Sequence, residues 1–376
     1  MHDHKKFDAF RGIAALTVAL SHIVQIYIVR LIGWEHPAWI IARTLGQHAV
    51  LVFFLLSGYL ITLSILRNRE SLDGFSAREF ITARIARIYP PFLASLGLIA
   101  ICWIVLHTMH LPGVHSRFGV ATDGYAVGPM TFQPWEVVTS LAMIRGMTLA
   151  NPPFWSLYFE VWAYVIAFFL ALGIFGRHRN LRGVSLATAV VAIGATLIRV
   201  PNFVFFFGIW SLGAAICLLT HYRNQYLDVC LTSLAIIGTL VIAALALINP
   251  LTLASGYPVH AIEHSAAAAF AGIYSYLIFT FRPLNRRYPK WLVNTGSFSY
   301  TLYVVHFPIL AVGLAATLPW VGTSLARSML CGTVVFAFDV AFARTLARYV
   351  ERPAYFKRIL LQAWVPFLGI APPDRE

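Results

Sequence analysis

Ten times along this chain about twenty residues pass with hardly a charge among them. That repetition constrains the fold more than any single motif. Hydrocarbon offers the backbone no hydrogen-bond partners, so a segment that crosses it must satisfy its own N–H and C=O groups, as a helix does. A helix needs roughly 17–25 residues to span a core about 30 Å thick. The apolar runs fall near 8–29, 47–66, 91–108, 154–175, 183–199, 203–220, 229–248, 260–281, 298–318 and 325–347. The expected fold is therefore all-α: a polytopic helical bundle of about ten transmembrane helices. It forms one transmembrane domain over 1–360, followed by a short tail over 361–376.

Composition agrees. The chain is 59% hydrophobic and 11% charged, where soluble domains carry about 25% charged residues. A formal net charge of +13 raises the question of nucleic acid. The basic residues lie between the apolar runs, where membrane topology accounts for them, and no nucleic-acid partner is expected. With the N-terminus placed in the cytoplasm, 22 of the 28 Lys and Arg residues fall on the inner side and six, such as Arg30 and Arg145, on the outer. That bias predicts an even number of crossings, both termini cytoplasmic, and multi-pass residence in a plasma (inner) membrane. The first run is too long for a signal-peptide core and is expected to stay as a membrane anchor. Cys102, Cys217, Cys230 and Cys331 lie in or beside apolar runs, with no C-x-x-C spacing, and read as buried thiols.

Two connections are expected to be long. The inner one, about 67–90, contains ARIARIYPP. The outer one, about 109–153, is rich in Gly, Pro and aromatic residues, with a short surface helix near 134–146.

Ionisable groups inside such runs are costly and mark functional sites. Arg11 and His22 lie eleven residues apart in the first run. Eleven residues are about three helical turns, so they share a face about 16 Å apart along the axis. Glu160, in WSLYFEVWAY, enters from the other side. Counted at 1.5 Å per residue, His22 and Glu160 reach similar depth. An imidazole beside a carboxylate in a dry site can act as a general base, the carboxylate orienting the ring. The competing reading of His22 is a core histidine bonded to a neighbouring helix. Arg84 and Arg87 form R-x-x-R, which on a helix presents two guanidinium groups on one face for bidentate phosphate binding. For an isolated pair, positive-inside flanking is the simpler reading. Asp8, three residues before Arg11, can pair with it. His306 and Asp339 are further polar residues inside apolar runs. His260, Glu263 and His264 form H-x-x-E-H at an outer rim, too weak a signal to predict a metal, and none is expected. Ser156 has no G-x-S-x-G elbow around it and reads, with Trp155, as part of an interfacial aromatic belt. A transporter or flippase of a sugar or glycolipid would also suit many spans with buried charges. No repeated half with matching broken helices supports that alternative.

In order along the chain, FDAFRGIAALTVALSH, FFLLSGYLIT, ARIARIYPPF, FWSLYFEVWAY, SYTLYVVHFPI and VERP resemble the membrane acyltransferase 3 family, from about Phe7 to Pro353. The resemblance implies transfer of an acyl group, usually acetyl, from cytoplasmic acyl-coenzyme A to a hydroxyl of a glycan or glycolipid on the far side. Acyl-coenzyme A is then a donor substrate, and no bound cofactor is implied. His22 takes the place of the catalytic base and Glu160 that of the acidic residue after W-S-L. Arg84 and Arg87, with Arg11, take the place of the coenzyme A contacts. His306 matches a cavity histidine, and Ser57, Tyr59, Tyr158 and Tyr303 are expected to line the cavity with it. Glu351 matches a structural E-x-P. Some family members carry an extracytoplasmic hydrolase-like domain, for which this chain has no room. The resemblance therefore implies a standalone transferase whose partners are acyl-coenzyme A, the acceptor and membrane lipid. Acceptor identity, acyl length, an acyl-enzyme intermediate and oligomeric state are not written in the sequence.

Overall fold

A computed structural model describes residues 4–71, 74–113, 130–176, 179–199, 201–221, 226, 229–233, 235–237, 270–280 and 288–364. Every regular element among them is helical. In chain order they are α1 (His4–Ile23), a π-helical turn (Val24–Ile28), α2 (Val29–Ile32), α3 (Pro37–Ser71), α4 (Ala77–Thr108), α5 (Pro134–Leu141), α6 (Phe154–Phe175), α7 (Arg179–Arg199), α8 (Pro201–His221), a second π-helical turn (Tyr276–Thr280), α9 (Lys290–Gly296), α10 (Ser299–Val321), α11 (Leu325–Val350) and α12 (Pro353–Trp364). Six helices among the described residues are long and apolar enough to cross a membrane. They are Lys5–Ile32, Pro37–Glu70, Ala77–Thr108, Phe154–Phe175, Ser299–Val321 and Leu325–Ala363. The run expected at 203–220 lies in α8, whose apolar stretch Phe205–His221 is shorter. The runs expected at 229–248 and 260–281, with His260, Glu263 and His264, lie largely outside the described residues.

Two boundaries differ from expectation for one reason: hydropathy marks the lipid-facing part of a helix, not the helix. α3 begins ten residues before its apolar run, at Pro37. The inner connection expected over 67–90 contracts to a few residues, because α4 begins at Ala77 and carries Arg84 and Arg87 on helix. Ser76 starts α4 by accepting a hydrogen bond from the Glu79 backbone N–H at 3.4 Å, and Ser-x-x-Glu is a helix-start signature. Pro90 and Pro91 lie inside α4 and remove two helical donors. A bundle tolerates this where a neighbour reaches the backbone. The carbonyls these prolines leave without a helical donor are those of Ala86 and Arg87; beside them, the Tyr300 hydroxyl donates to the Ile88 carbonyl at 3.1 Å and ties α4 to the segment that carries it.

Packing among the helices is close. α3 lies along α8, α10 along α11, and α1 against α3 and α9. Where α3 meets α8, a Cβ on Gly58 or Gly213 would run into the backbone of the facing helix. Small residues let backbones approach in this way where water supplies no driving force between helices. Tyr27, on the first π turn, is fully buried and donates its hydroxyl to the Leu310 carbonyl at 3.0 Å. That bond fixes the C-terminal half of the first span against α10. On the basic end, α12 lies against α4, held by an ion pair of Lys357 with Glu79 and by Arg78 donating to the Leu361 carbonyl at 2.8 Å.

Candidate functional site

Helical periodicity brings five helices onto one cavity of about 300 Å³. α1 supplies Asp8 and Arg11, and α4 supplies Arg84, Arg87 and Ile88. α3 contributes Val50, Phe53, Phe54, Ser57, Leu60 and Ile61, the spacing of a single helix face. α6 gives Ser156, Glu160 and Tyr164, one turn apart each, and α10 gives Ser299, Tyr300 and Tyr303. The volume sits at the small end of ligand pockets, which run from about 300 to 1,000 Å³.

Three cations and two acids line this space. The Glu160 carboxylate accepts a hydrogen bond from the Ser57 hydroxyl at 2.8 Å and another from the Tyr164 hydroxyl. Arg84 lies within electrostatic reach of Glu160 and Tyr164, and its guanidinium stands 5.8 Å above the Phe80 ring. Its Nε is buried without a hydrogen-bond partner. Arg87 lies within electrostatic reach of Glu351. The Glu351 carboxylate accepts from the Thr301 backbone N–H at 2.7 Å, in the first turn of α10. A carboxylate at that end of a helix satisfies an otherwise unpaired donor and complements the helix dipole.

Of the residues singled out in the sequence, Arg11, Ser57, Arg84, Arg87, Glu160 and Tyr303 lie on the cavity. His22, Tyr59, Tyr158 and His306 are not among the residues that line it. Tyr59 is two residues past Ser57, about 200° around the helix, and it stacks on Phe279 at 4.7 Å. Tyr158 is likewise two residues past Ser156 and shares a hydrogen bond of 2.9 Å with Ser140. His22 does not meet Glu160 through the hydrogen bond expected of it. Its Nδ1 lies 2.6 Å from Gln25 Oε1, while Glu160 takes Ser57 and Tyr164. Depth along the membrane normal is only one coordinate. The angular position of each helix decides which side chains meet, and α1 turns His22 toward α10 rather than α6.

There His22 meets His306, with ring centroids 5.2 Å apart, and Phe307, edge-on at 5.2 Å. His306 Nδ1 lies 3.0 Å from the Leu302 carbonyl. Tyr303 joins the two regions: it lines the cavity, and its ring centroid is 5.9 Å from that of His306. Its hydroxyl lies 2.5 Å from Ser156 Oγ. Ser156 is thus buried on the cavity wall, not in an interfacial belt. The i, i+4, i+8 spacing Ser156–Glu160–Tyr164 is the signal that places it there. Gln25 and Tyr300 carried no sequence signal of their own. Among the described residues no group of three His, Cys, Asp or Glu side chains could hold a metal ion.

A family model described as an acyltransferase domain matches residues 4–342. An acyltransferase of Streptomyces mycarofaciens, MdmB, is 31% identical over 194 residues, which is 51% of this chain and 44% of the relative. An O-acetyl transferase of Shigella phage Sf6 is 34% identical over 90 residues, 24% of each chain. Protein 2 in the picA locus of Rhizobium radiobacter is 28% identical over 160 residues, 41% of this chain and 75% of the relative. The matches thus span less than half the length of the first two curated relatives. No solved structure matches the chain.

Proposed function

The chain belongs to the acyltransferase 3 family of membrane acyltransferases, and from that footing we propose that it moves an acetyl group from cytoplasmic acetyl-coenzyme A to a hydroxyl of an extracytoplasmic glycan or glycolipid. One observation carries the reading: Arg11, Arg84 and Arg87, from two helices, converge on one cavity inside an apolar bundle. Guanidinium pairs are the residue of choice for bidentate phosphate recognition. In this reading they grip the coenzyme A phosphates, charges that are costly to bring near hydrocarbon, while the thioester arm extends toward Tyr303. His22 is the general base, its ring held by Gln25. It takes the proton from the acceptor hydroxyl as the oxygen bonds to the thioester carbonyl carbon. The C–S bond then breaks, and coenzyme A leaves as its thiol. Glu160 keeps Ser57, Tyr164 and Arg84 in register on the cavity wall. The phage relative is an O-acetyl transferase, which supports acetyl as the group transferred. The excess of basic residues on one side supports cytoplasmic termini in a plasma (inner) membrane.

The test is purified protein with acetyl-coenzyme A and cell-envelope glycan, read as free thiol and as acetylated product. Wild type releases thiol, and His22→Ala releases none although it inserts and elutes as the folded protein. A transporter or flippase gives no thiol with either form. Wild-type-like turnover by His22→Ala removes His22 from the mechanism.

A further inference from the structure

Resting on that reading of His22, we propose that His306 is a positioning residue that shares the proton His22 takes from the acceptor hydroxyl. The two rings are in contact, their centroids 5.2 Å apart and their planes 35° from parallel. Each has its Nδ1 occupied from its own helix. A carbonyl oxygen only accepts, so His306 Nδ1, 3.0 Å from the Leu302 carbonyl, carries the hydrogen. Its Nε2 then holds a lone pair. That atom is buried without a hydrogen-bond partner, in a residue with no exposed surface. On His22, Nδ1 faces the Gln25 amide oxygen at 2.6 Å, which places the hydrogen there as well and leaves Nε2 as the basic atom.

The neutral pair therefore presents two ring acceptors and no proton to join them. Buried polar atoms are almost always partnered, and one that is not calls for an explanation. One added proton supplies it. His22 Nε2 takes the hydroxyl proton as the acceptor oxygen bonds to the carbonyl carbon, and the resulting N–H⁺ donates to His306 Nε2. The electron pair of the C–S bond leaves with sulfur, and the thiolate takes the proton back from the pair. Gln25, Tyr303 and Phe307 pack around the two rings. The Glu160 carboxylate is engaged by Ser57 and Tyr164, so the second ring, not an acid, is what the structure offers the imidazolium.

The experiment is NMR of protein labelled with ¹⁵N-histidine in lipid nanodiscs, titrated downward from about pH 8, above the ordinary imidazole range, to the acid limit at which the protein stays folded. The ring signals of His22 and His306 are expected to move together in wild type, and His22 to follow a different curve in His306→Gln. A His306 that stays in its neutral form while His22 titrates overturns the proposal, as does a His22 curve unchanged in the variant. His306→Asn serves if the Gln variant does not insert. In the thiol-release assay His306→Gln is expected to lower kcat by about tenfold or more with the KM for acetyl-coenzyme A unchanged. An unchanged kcat overturns the proposal. Absence of thiol release in wild type overturns acyl transfer itself, and the NMR arm still decides whether the rings share a proton.

Discussion

Replacing Glu160 tests the construction of the cavity wall. Its carboxylate accepts two hydroxyl hydrogen bonds, from Ser57 at 2.8 Å and from Tyr164. Hydrogen bonds to a charged group contribute about 1.5–3 kcal/mol each. Both donors face a cavity that water can enter, so the lower figure applies. Glu160→Ala removes both bonds and should cost about 3 kcal/mol. Both hydroxyls donate to one oxygen, Oε1, so Glu160→Gln can keep both bonds through its amide oxygen and lose only their charge assistance, at a cost of about 1 kcal/mol. Tyr164→Phe should cost about 1.5 kcal/mol, and combined with Glu160→Gln less than the sum, because the two share one bond. The assay is equilibrium unfolding by SDS in mixed micelles, followed by the loss of tertiary tryptophan signal. Equal losses for Ala and Gln, or additive losses in the double variant, would refute the assignment of those two bonds as the support of the wall.

Arg87→Ala should raise the KM for acetyl-coenzyme A by about tenfold or more, the worth of one charge-assisted contact, with kcat little changed; a kcat effect at constant KM counts against a phosphate role. Gly313→Ala should destabilise by about 1–3 kcal/mol, the usual cost of overpacking, because the new Cβ would lie 2.8 Å from the Tyr27 hydroxyl and 2.7 Å from a Val335 methyl. Unfolding at the wild-type SDS concentration would show that Tyr27 can move aside. Asp339 is fully buried with neither carboxyl oxygen hydrogen-bonded. Asp339→Val should therefore stabilise by about 1 kcal/mol, since an unpaired buried polar group costs that much or more, and a fall in stability would mean that the acid has a partner in the membrane.

The sequence carried the fold class openly, because a helix that crosses hydrocarbon writes its length in apolar residues. It carried less about helix ends. Arg43 interrupts the hydropathy of α3 without interrupting the helix, and Pro90–Pro91 looks like a stop although α4 runs through both. At the site, spacing within one helix was legible: Arg84 and Arg87 share a face, and both line the cavity. What spacing cannot supply is how far each helix is turned about its own axis, a quantity fixed by contacts with four or five others. For that reason His22 and Glu160, matched in depth, take different partners, and Gln25 had no mark in sequence to show that it meets the His22 ring.

The π-helical turn at Val24–Ile28 has a genetic corollary. Such a turn is a helix that has absorbed one residue more than its neighbours. Losing one codon there would restore regular winding and leave everything beyond it in register, whereas losing one in the regular turns of α1 would swing the rest of the span by about 100°. In the second case Tyr27 would leave its place against Leu310. A one-residue deletion in the π turn that spares Tyr27 should therefore be milder than one in the regular helix before it, and homologues that wind regularly there should be one residue shorter in this stretch.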